Sequence, residues 1–466
     1  MRIALVNTNR MRPAIGPIGM DYVAEALNAA GYHVGILDLC WAEDWEEAIA
    51  EFFDLGHYHL VGVSLRNTDD CTMSSRQSFL GECAAMVKAI RENCSAMIVL
   101  GGVGFSVMPE TVLSLCRADA GVWGEGEFAL IALAERIEKH REWRDAPNIV
   151  VQYNGEWRRN PPIVRPLSEL PVMKRRWVDN ARYFREGGQA GFETKRGCPC
   201  QCVYCADPLA KGRTVRTRPA KAVVDEIENL LAQGIDHLHT CDTEFNAAKG
   251  HAAEVCNEIV ARGLGGRMRW YAYCTPAGFS PDFARLMRKA GCVGINFGVD
   301  NGDAGILRRL RREFKPEDIA NAVKWCREAG IAVMLDLLLG SPGETRESIT
   351  RTIEMMKRTQ PERVGVSMGV RVYPGTEIAQ RFAQEGRKEG LTGGASPNDP
   401  VFYLEPAVAP FIVQLLEKLI GDDRGFFFTD PAKADRNYNY NANQRLVKAI
   451  QKGFRGAYWD ILRRIA

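Results

Sequence analysis

Short apolar runs rich in β-branched residues alternate with helical patterns through the first third of the chain. IALVN (Ile3–Asn7), HVGILDL from His33, LVGVSL from Leu60, MIVLGG from Met97 and AGVWG from Ala120 read as strands. Between them MDYVAEALNAAG, with Gly31 as its C-cap, reads as a helix. So do the stretches around Trp45–Phe53, Phe79–Asn93 and Glu110–Cys116. Five strands alternating with helices predict a doubly wound, Rossmann-like parallel sheet.

From about Val151 to Gly188 the periodicity breaks down. RRNPPIVRPLSELPVMKRRW carries four prolines among basic residues and reads as an extended linker, with Lys174–Arg176 as a solvated face. A second βα series follows. Its strands are GFETK (Gly191–Lys195), HLHTCD from His237, WYAYCTP from Trp270, VGINFGVDNG from Val293, VMLDLLLGSPGE from Val333 and VGVSMGVRVYPGT from Val364. Helices such as Pro219–Gln233 and Pro316–Ala329 lie between them. Six such units predict an open (β/α)6 barrel with its function at the carboxyl ends of the strands. From about Gly394 the rhythm stops, and PAVAPFIVQLLEKLIG and VKAIQKGFRGAYWDILRRI each read as a helix. The expected α/β organisation is therefore a sheet domain over 1–145, a linker over 146–190, a barrel over 191–393 and a helical cap over 394–466. The cap either buries its aromatics (Phe426–Phe428, Tyr438, Tyr440) or lays them over a substrate.

Hydrophobic residues make up 46% of the 466, enough to build large cores. The formal net charge of +2 gives no field to attract nucleic acid or an anionic membrane. No apolar stretch approaches the roughly 18 residues of a membrane span. The opening run is too short for a signal peptide. These features predict a reduced, cytoplasmic protein. In that setting fourteen cysteines mean metal or thiol chemistry where they cluster and packing where they scatter. Cys40, Cys71, Cys83, Cys94, Cys116, Cys256, Cys292 and Cys326 are scattered and read as small core hydrophobes.

The loops after the first five strands are rich in Gly, Asn, Asp and Arg: NTNRMRPAIGPIG, RNTDD, GGVGFSVMP and GEGE. Ligands of doubly wound sheets bind there. A dinucleotide would want G-x-G-x-x-G after the first strand, but the glycines come late, at Gly16 and Gly19, and no P-loop is present. The densest chemical signal is GCPCQCVYC, Gly197–Cys205. Cys198, Cys202 and Cys205 form C-x3-C-x2-C, with Cys200 inside the first gap. Zinc usually wants four ligands, often as two spaced pairs, and no second C-x2-C pair exists. Three thiolates instead leave one iron of a [4Fe–4S] cluster open, since the cluster normally takes four. A zinc loop and a cluster loop both remain possible readings of the spacing alone.

The loop resembles the cluster loop of radical S-adenosylmethionine (SAM) enzymes, and the first third resembles the cobalamin-binding domain found ahead of many of them. The matching residues are Gly16–Gly19, Arg66–Asp70, Gly101–Glu110 and Gly124–Glu127 in the first third, and Cys198, Cys202, Cys205 and Tyr204 in the loop. The resemblance implies that the three cysteines hold a [4Fe–4S] cluster, with Cys200 a packing thiol and Tyr204 near the adenine of SAM. It implies SAM contacts at the strand ends: Asp242, Glu244 and Asn246 after strand two, Asp300 and Asn301 after strand four, and Gly340 after strand five. It implies cobalamin near Arg66, Asn67, Gly101, Gly102, Gly124, Glu125 and Gly126. The corrinoid motif D-x-H-x-x-G is absent, and His33, His57 and His59 lie in or before strands. Cobalamin is therefore expected base-off, without a His ligand, with Arg66 approaching its lower face or else paired to Asp69 or Asp70.

The function implied is a cobalamin-dependent radical SAM methyltransferase. It would pass a methyl from SAM through methylcobalamin to an unactivated carbon or phosphorus of a small molecule or peptide. A flavodoxin or ferredoxin would supply electrons, and no nucleic acid or membrane span would take part. The alternatives are a cyclising or rearranging enzyme of the same architecture, a radical SAM enzyme with a vestigial first domain, and a zinc- or cluster-bearing binding module.

Overall fold

The computed structural model describes residues 1–428 and 440–465. The first sheet has seven strands: β1 (Arg2–Asn7), β2 (His33–Asp38), β3 (Leu60–Ser64), β4 (Met97–Gly101), β5 (Ala120–Val122), β6 (Ile149–Tyr153) and β7 (Glu156–Arg159). Their order is β2-β1-β3-β4-β5-β6-β7. β1 to β5 are parallel, and helices bury their apolar residues on both faces. The chain winds outward in both directions from β1 and β3, so a crevice opens beyond the carboxyl ends of those two strands.

β6 and β7 form an antiparallel hairpin in a stretch that reads as linker. The turn is Asn154-Gly155, both with positive φ, which suits the twist of a two-residue hairpin. The proline-rich segment beyond it masks this local signal.

The second sheet also has seven strands, one more than the βα count predicts. Strands one to six are Ala190–Phe192, His237–Thr240, Arg269–Cys274, Cys292–Asp300, Ala332–Leu339 and Arg363–Met368, paired in parallel in chain order. The seventh is Phe426–Phe428, parallel to strand six. Three residues are too few to show alternation, so a strand cannot be told from a helical cap there. All three phenylalanines are buried, and Tyr438 lies outside the described residues. The last helical pattern is two helices, Gln444–Gln451 and Tyr458–Arg464, separated by a stretch containing Gly453 and Gly456. They close the amino-terminal end of the barrel: Leu446, Ile450, Trp459 and Ile461 pack with Tyr271, Met334 and Phe427. The aromatics form a floor rather than a roof.

The two halves are joined through buried charge. Arg175 donates to Asp21 (2.9 Å), to Glu226 (2.8 Å), to the Gly191 carbonyl (2.7 Å) and to Asn180 (3.0 Å). Arg218 donates to the other Glu226 oxygen (2.6 Å) and to the Tyr22 hydroxyl (2.8 Å). Asp21 and Tyr22 belong to the first helix of the sheet domain, and Glu226 to the barrel's first helix. Arg175 is thus 3% exposed and central, not part of a solvated face. Only its neighbours Lys174 and Arg176 face solvent. One scattered cysteine departs from core packing: Cys71 is exposed, while the half-buried Cys94 packs against the core of the sheet domain.

A buried carboxylate that loses its cation keeps its desolvation penalty, at a cost of about 3–5 kcal/mol. Arg175→Met, which keeps most of the volume, is expected to lower the denaturation midpoint accordingly. A midpoint equal to wild type would contradict this role.

Candidate active site

Barrel strand one leads through Lys195–Arg196 into the loop Gly197–Ala206, ahead of the helix Asp207–Lys211. Gly197 has φ +87°, and the Thr214 carbonyl occupies the place a Cβ would take. A side chain there would be strained and would clash. The loop is pinned by backbone bonds: the Cys198 N–H donates to Gly212 (3.0 Å), Val203 to Leu310 (3.3 Å) and Cys205 to Cys202 (3.2 Å). All four cysteines are free; Cys198 is buried and the others half-buried. A hydrogen bond from Cys200 draws the Cys198 thiol down to about 6 and pushes Cys200 up. Burial raises Cys202, and the Arg312 guanidinium, 2.9 Å from its Sγ, opposes that.

Among the described residues no three Cys, His, Asp or Glu side chains converge as one metal ion would require. A four-iron cluster presents its open valences at the corners of a cube, so its thiolates stand apart.

Around the loop, two buried charged atoms have no partner among the described residues, Lys195 Nζ and Glu244 Oε2, while Arg312 Nε has only its ion pair with Asp300 (3.3 Å). Burial pushes the Glu244 carboxyl up to about 8 against the pull of Arg312. Unmatched buried charges are costly unless a ligand completes them. Two cations and an acidic group in one place are the complement of an amino acid's carboxylate and ammonium, which SAM carries. Tyr204 donates to Asp300 (2.6 Å), and Arg312 lies 3.3 Å from the same Asp300 oxygen. Asp300 sits at a bulge with φ +61°, and burial raises its carboxyl.

Several residues singled out by sequence are engaged by the scaffold. Asp242 accepts from the Thr194 N–H (2.9 Å), the Thr194 hydroxyl (2.6 Å) and the Lys195 N–H (3.2 Å), locking strand two to strand one. Asn246 exchanges bonds with the Thr275 backbone (2.8 and 2.9 Å). Asn301 donates to Glu344 (2.5 Å) and accepts from Thr352 (2.7 Å). The Gly340 N–H donates to Glu344, and its carbonyl accepts from the Glu405 N–H (2.8 Å). Lys195 and Arg312 escape sequence reasoning. The first is one of two basic residues before the cysteines, and the second lies in the run RRLRRE. Neither position carries a spacing signal.

On the sheet side, Arg66 follows β3 and its Nη1 lies 3.6 Å from the Met11 sulfur in the loop after β1. It therefore stands at the crevice between those strands. It pairs with neither nearby aspartate: Asp69 is held by Arg371 (2.8 Å), and Asp70 accepts from Ser75 (2.5 Å). Burial lowers the guanidinium, and the groups acting on it are Tyr458, Cys241, Tyr273 and Cys71. Gly102 (φ +97°) and Gly104 let the loop after β4 lie against the backbone of Leu65 and Asn67. The Gly101 carbonyl accepts from the Leu65 N–H (2.9 Å), and the Gly124 N–H donates to Ser106 (2.9 Å). Glu125 pairs with Arg196 (3.3 Å) and Arg216, and Glu127 with Arg196 (2.6 Å). Gly126 packs against Val23. The GEGE turn therefore joins the domains. His33, His57 and His59 are exposed at the opposite, amino-terminal end of the sheet.

One turn ties the two sides together. Cys241 is among the groups whose charge acts on the buried Arg66, while the Thr243 hydroxyl, two residues on, donates to the Gly197 carbonyl at the head of the cysteine loop (3.5 Å). Beside it Tyr273 keeps 42% of its surface open, yet burial pushes its hydroxyl up to about 12. Such a residue faces an enclosed hollow rather than bulk water.

The comparisons agree with this arrangement. The family model described as the B12 binding domain matches residues 6–134. That of the radical SAM superfamily matches residues 192–356. The chain is 30% identical to the tryptophan 2-C-methyltransferase of Streptomyces laurentii over 92% of its own length and 81% of that protein. It is similar to the radical SAM methyltransferase TsrM of Kitasatospora setae, solved with tryptophan substrate and a SAM analogue, at 31% identity and a TM-score of 0.94, covering 99% of this chain and 97% of the other. The same enzyme with cobalamin and a [4Fe–4S] cluster gives 29% identity and a TM-score of 0.89, again covering 99% and 97%. A B12-binding sheet ahead of a barrel with a three-cysteine loop, in one continuous match, makes the chain a member of the cobalamin-dependent radical SAM enzymes.

Proposed function

We propose that the chain methylates a carbon of a small aromatic amine, taking the methyl from SAM and relaying it through cobalamin. The observation that carries this reading is the turn Cys241–Glu244, which touches the cysteine loop through Thr243 and Gly197 and whose Cys241 acts electrostatically on Arg66. Two cofactors held on either side of it share one hollow. The relatives named for tryptophan methylation support the substrate class.

Bound there, the corrinoid would supply methyl carriage, and the cluster would supply reductive radical chemistry on SAM. The residues do the rest. Cys198, Cys202 and Cys205 hold the cluster, and Cys200 tunes Cys198 by hydrogen bonding. Glu244, rather than the engaged Asp242, receives the SAM ammonium, and Arg312 with Lys195 receives its carboxylate. Tyr204 and Asp300 together flank the nucleoside. Arg66 would border the bound corrinoid; a guanidinium does not give up its proton to become a ligand, so this side chain would offer the metal no bond. Asn67, Gly101, Gly102 and Gly124 shape the loops that border the ring. The hollow excludes water, which strengthens every interaction within it. An outside low-potential donor of the flavodoxin or ferredoxin type reduces the centres in a reducing cytoplasm. Among the described residues no helix is long and apolar enough to cross a membrane.

A second reading of the last step has a specific support. The relative's acceptor is carbon 2 of tryptophan, an electron-rich ring carbon that can take a methyl directly by polar transfer. SAM labelled on its methyl carbon, fed with L-tryptophan to the reconstituted enzyme, separates the two. Labelled product with S-adenosylhomocysteine and 5′-deoxyadenosine in near-equal amounts supports the radical route. Labelled product with S-adenosylhomocysteine alone supports polar transfer. Unlabelled, rearranged product overturns the methyltransferase reading.

Substitution by Ala at Cys198, Cys202 or Cys205 should each reduce iron and sulfide from about four per chain to near none, while Cys200→Ala keeps them. Loss only in Cys200→Ala contradicts the ligand set. EPR of the paramagnetic cobalt form should show no nitrogen superhyperfine splitting from a protein ligand; such splitting sinks the base-off assignment.

A further inference from the structure

Inside the barrel the side chains change character with height. At the floor Tyr271, Met334 and Phe427 meet the C-terminal helices in an apolar plug. One lumen position further along the strands come Tyr273, Asn296 and Asp336. Tyr273 lies directly across from Asn296, which pairs with Met334, two residues before Asp336. Alternation therefore puts all three on the lumen face. The His239 ring lies 5.0 Å from the Tyr273 ring.

This layer is short of donors. Asp336 Oδ1 and Asn296 Oδ1 are buried and have no hydrogen-bond partner. Burial pushes the Asp336 carboxyl up to about 7; the Asn296 side-chain amide, hydrogen-bonding it, opposes the rise, and Asp300 adds repulsion. Among the described residues no Lys, Arg or His is among the groups acting on it. His239 does not supply the missing charge, because burial holds it down to about 4 and therefore neutral. Buried polar groups in folded proteins are nearly always satisfied, and an exception calls for a reason. Here two unmatched acceptors stand in the wall of a hollow that the floor leaves open above it.

An occupant that completes this layer brings donors and positive charge below and a flat apolar body beside the rings. An ammonium carries three N–H donors and no acceptor. Resting on the methyltransferase reading above, we infer that Asp336, with the Asn296 oxygen, anchors the ammonium of an aromatic amine substrate, whose ring lies against Tyr273 and His239. Asp336 is then the specificity determinant that separates amines from their desamino analogues. A site built to bond such a group rejects the analogue lacking it, because its own buried acceptors stay unpaired.

The test is binding to the cofactor-loaded enzyme by calorimetry, with tryptamine, L-tryptophan and indole-3-propionate as probes. The two amines should bind, and indole-3-propionate, which lacks the ammonium, at least tenfold more weakly than L-tryptophan. Asp336→Asn keeps the shape and removes the charge. It should weaken both amines tenfold or more and leave indole-3-propionate unchanged. The variant should still load cluster and corrinoid, read as iron and corrinoid content per chain. Equal binding of L-tryptophan and indole-3-propionate by the wild type overturns the assignment without any variant. So does unweakened amine binding by Asp336→Asn, or no amine binding at all. Failure of the wild type to form S-adenosylhomocysteine instead strikes the methyltransferase reading and leaves the binding comparison to judge Asp336.

Discussion

Arg175 holds the two halves of the molecule in register. Its guanidinium spans Asp21 of the sheet domain and Glu226 of the barrel, and its other donors reach Gly191 and Asn180. The planar fork satisfies four acceptors from different segments at once, which a point charge on Lys would not do. Gly191 lies in barrel strand one, only a few residues before the cysteine loop. Asp21 lies in the helix that follows β1, the strand whose loop faces Arg66. A shift at Arg175 therefore moves the two cofactor faces relative to each other. A buried ionic network adds little net stability beyond what an apolar joint would give, but it fixes geometry. Here geometry is what function requires.

The enclosed hollow between the halves explains the electrostatics. Glu244, Asp300 and Asp336 all have raised carboxyl pKa values, and burial is the leading cause for each. Arg66 is lowered for the same reason. These groups share a region of low dielectric; Asp300 is held by Tyr204 and Arg312, while Glu244 and Asp336 each keep one oxygen without a partner among the described residues. Glu244 has Arg312 nearby at 3.8 Å, but its other oxygen is unmatched. Among the described residues Asp336 has no such cation. The difference separates a site for a zwitterion from one for a cation, and it follows from which strand ends face the cysteine loop and which lie deeper in the lumen.

Much of the architecture is legible in the sequence because its signals are local. The five parallel strands of the first sheet are β-branched runs, and the C-x3-C-x2-C loop is a spacing within eight residues. What stays hidden is long-range. Arg175 reads as a solvated base because its partners lie 154 and 51 residues away. Arg312 lies 110 residues from Cys202. The strand Phe426–Phe428 is too short to show a period, and the β6–β7 hairpin is masked by the prolines that follow. Asp242 and Asn301 read as ligand contacts because they stand at strand ends. Such positions also hold the strands together, and only their bonding partners tell the two roles apart.

The central claim is that the corrinoid and cluster faces open on one hollow. Two paramagnetic centres so placed relax each other. The most direct measurement is EPR of the enzyme carrying both paramagnetic cobalt and reduced cluster, compared with each centre alone. The account predicts dipolar broadening and faster relaxation of the cobalt signal when the cluster is reduced, weakened in Arg175→Met. A spectrum equal to the sum of the two isolated centres would contradict it.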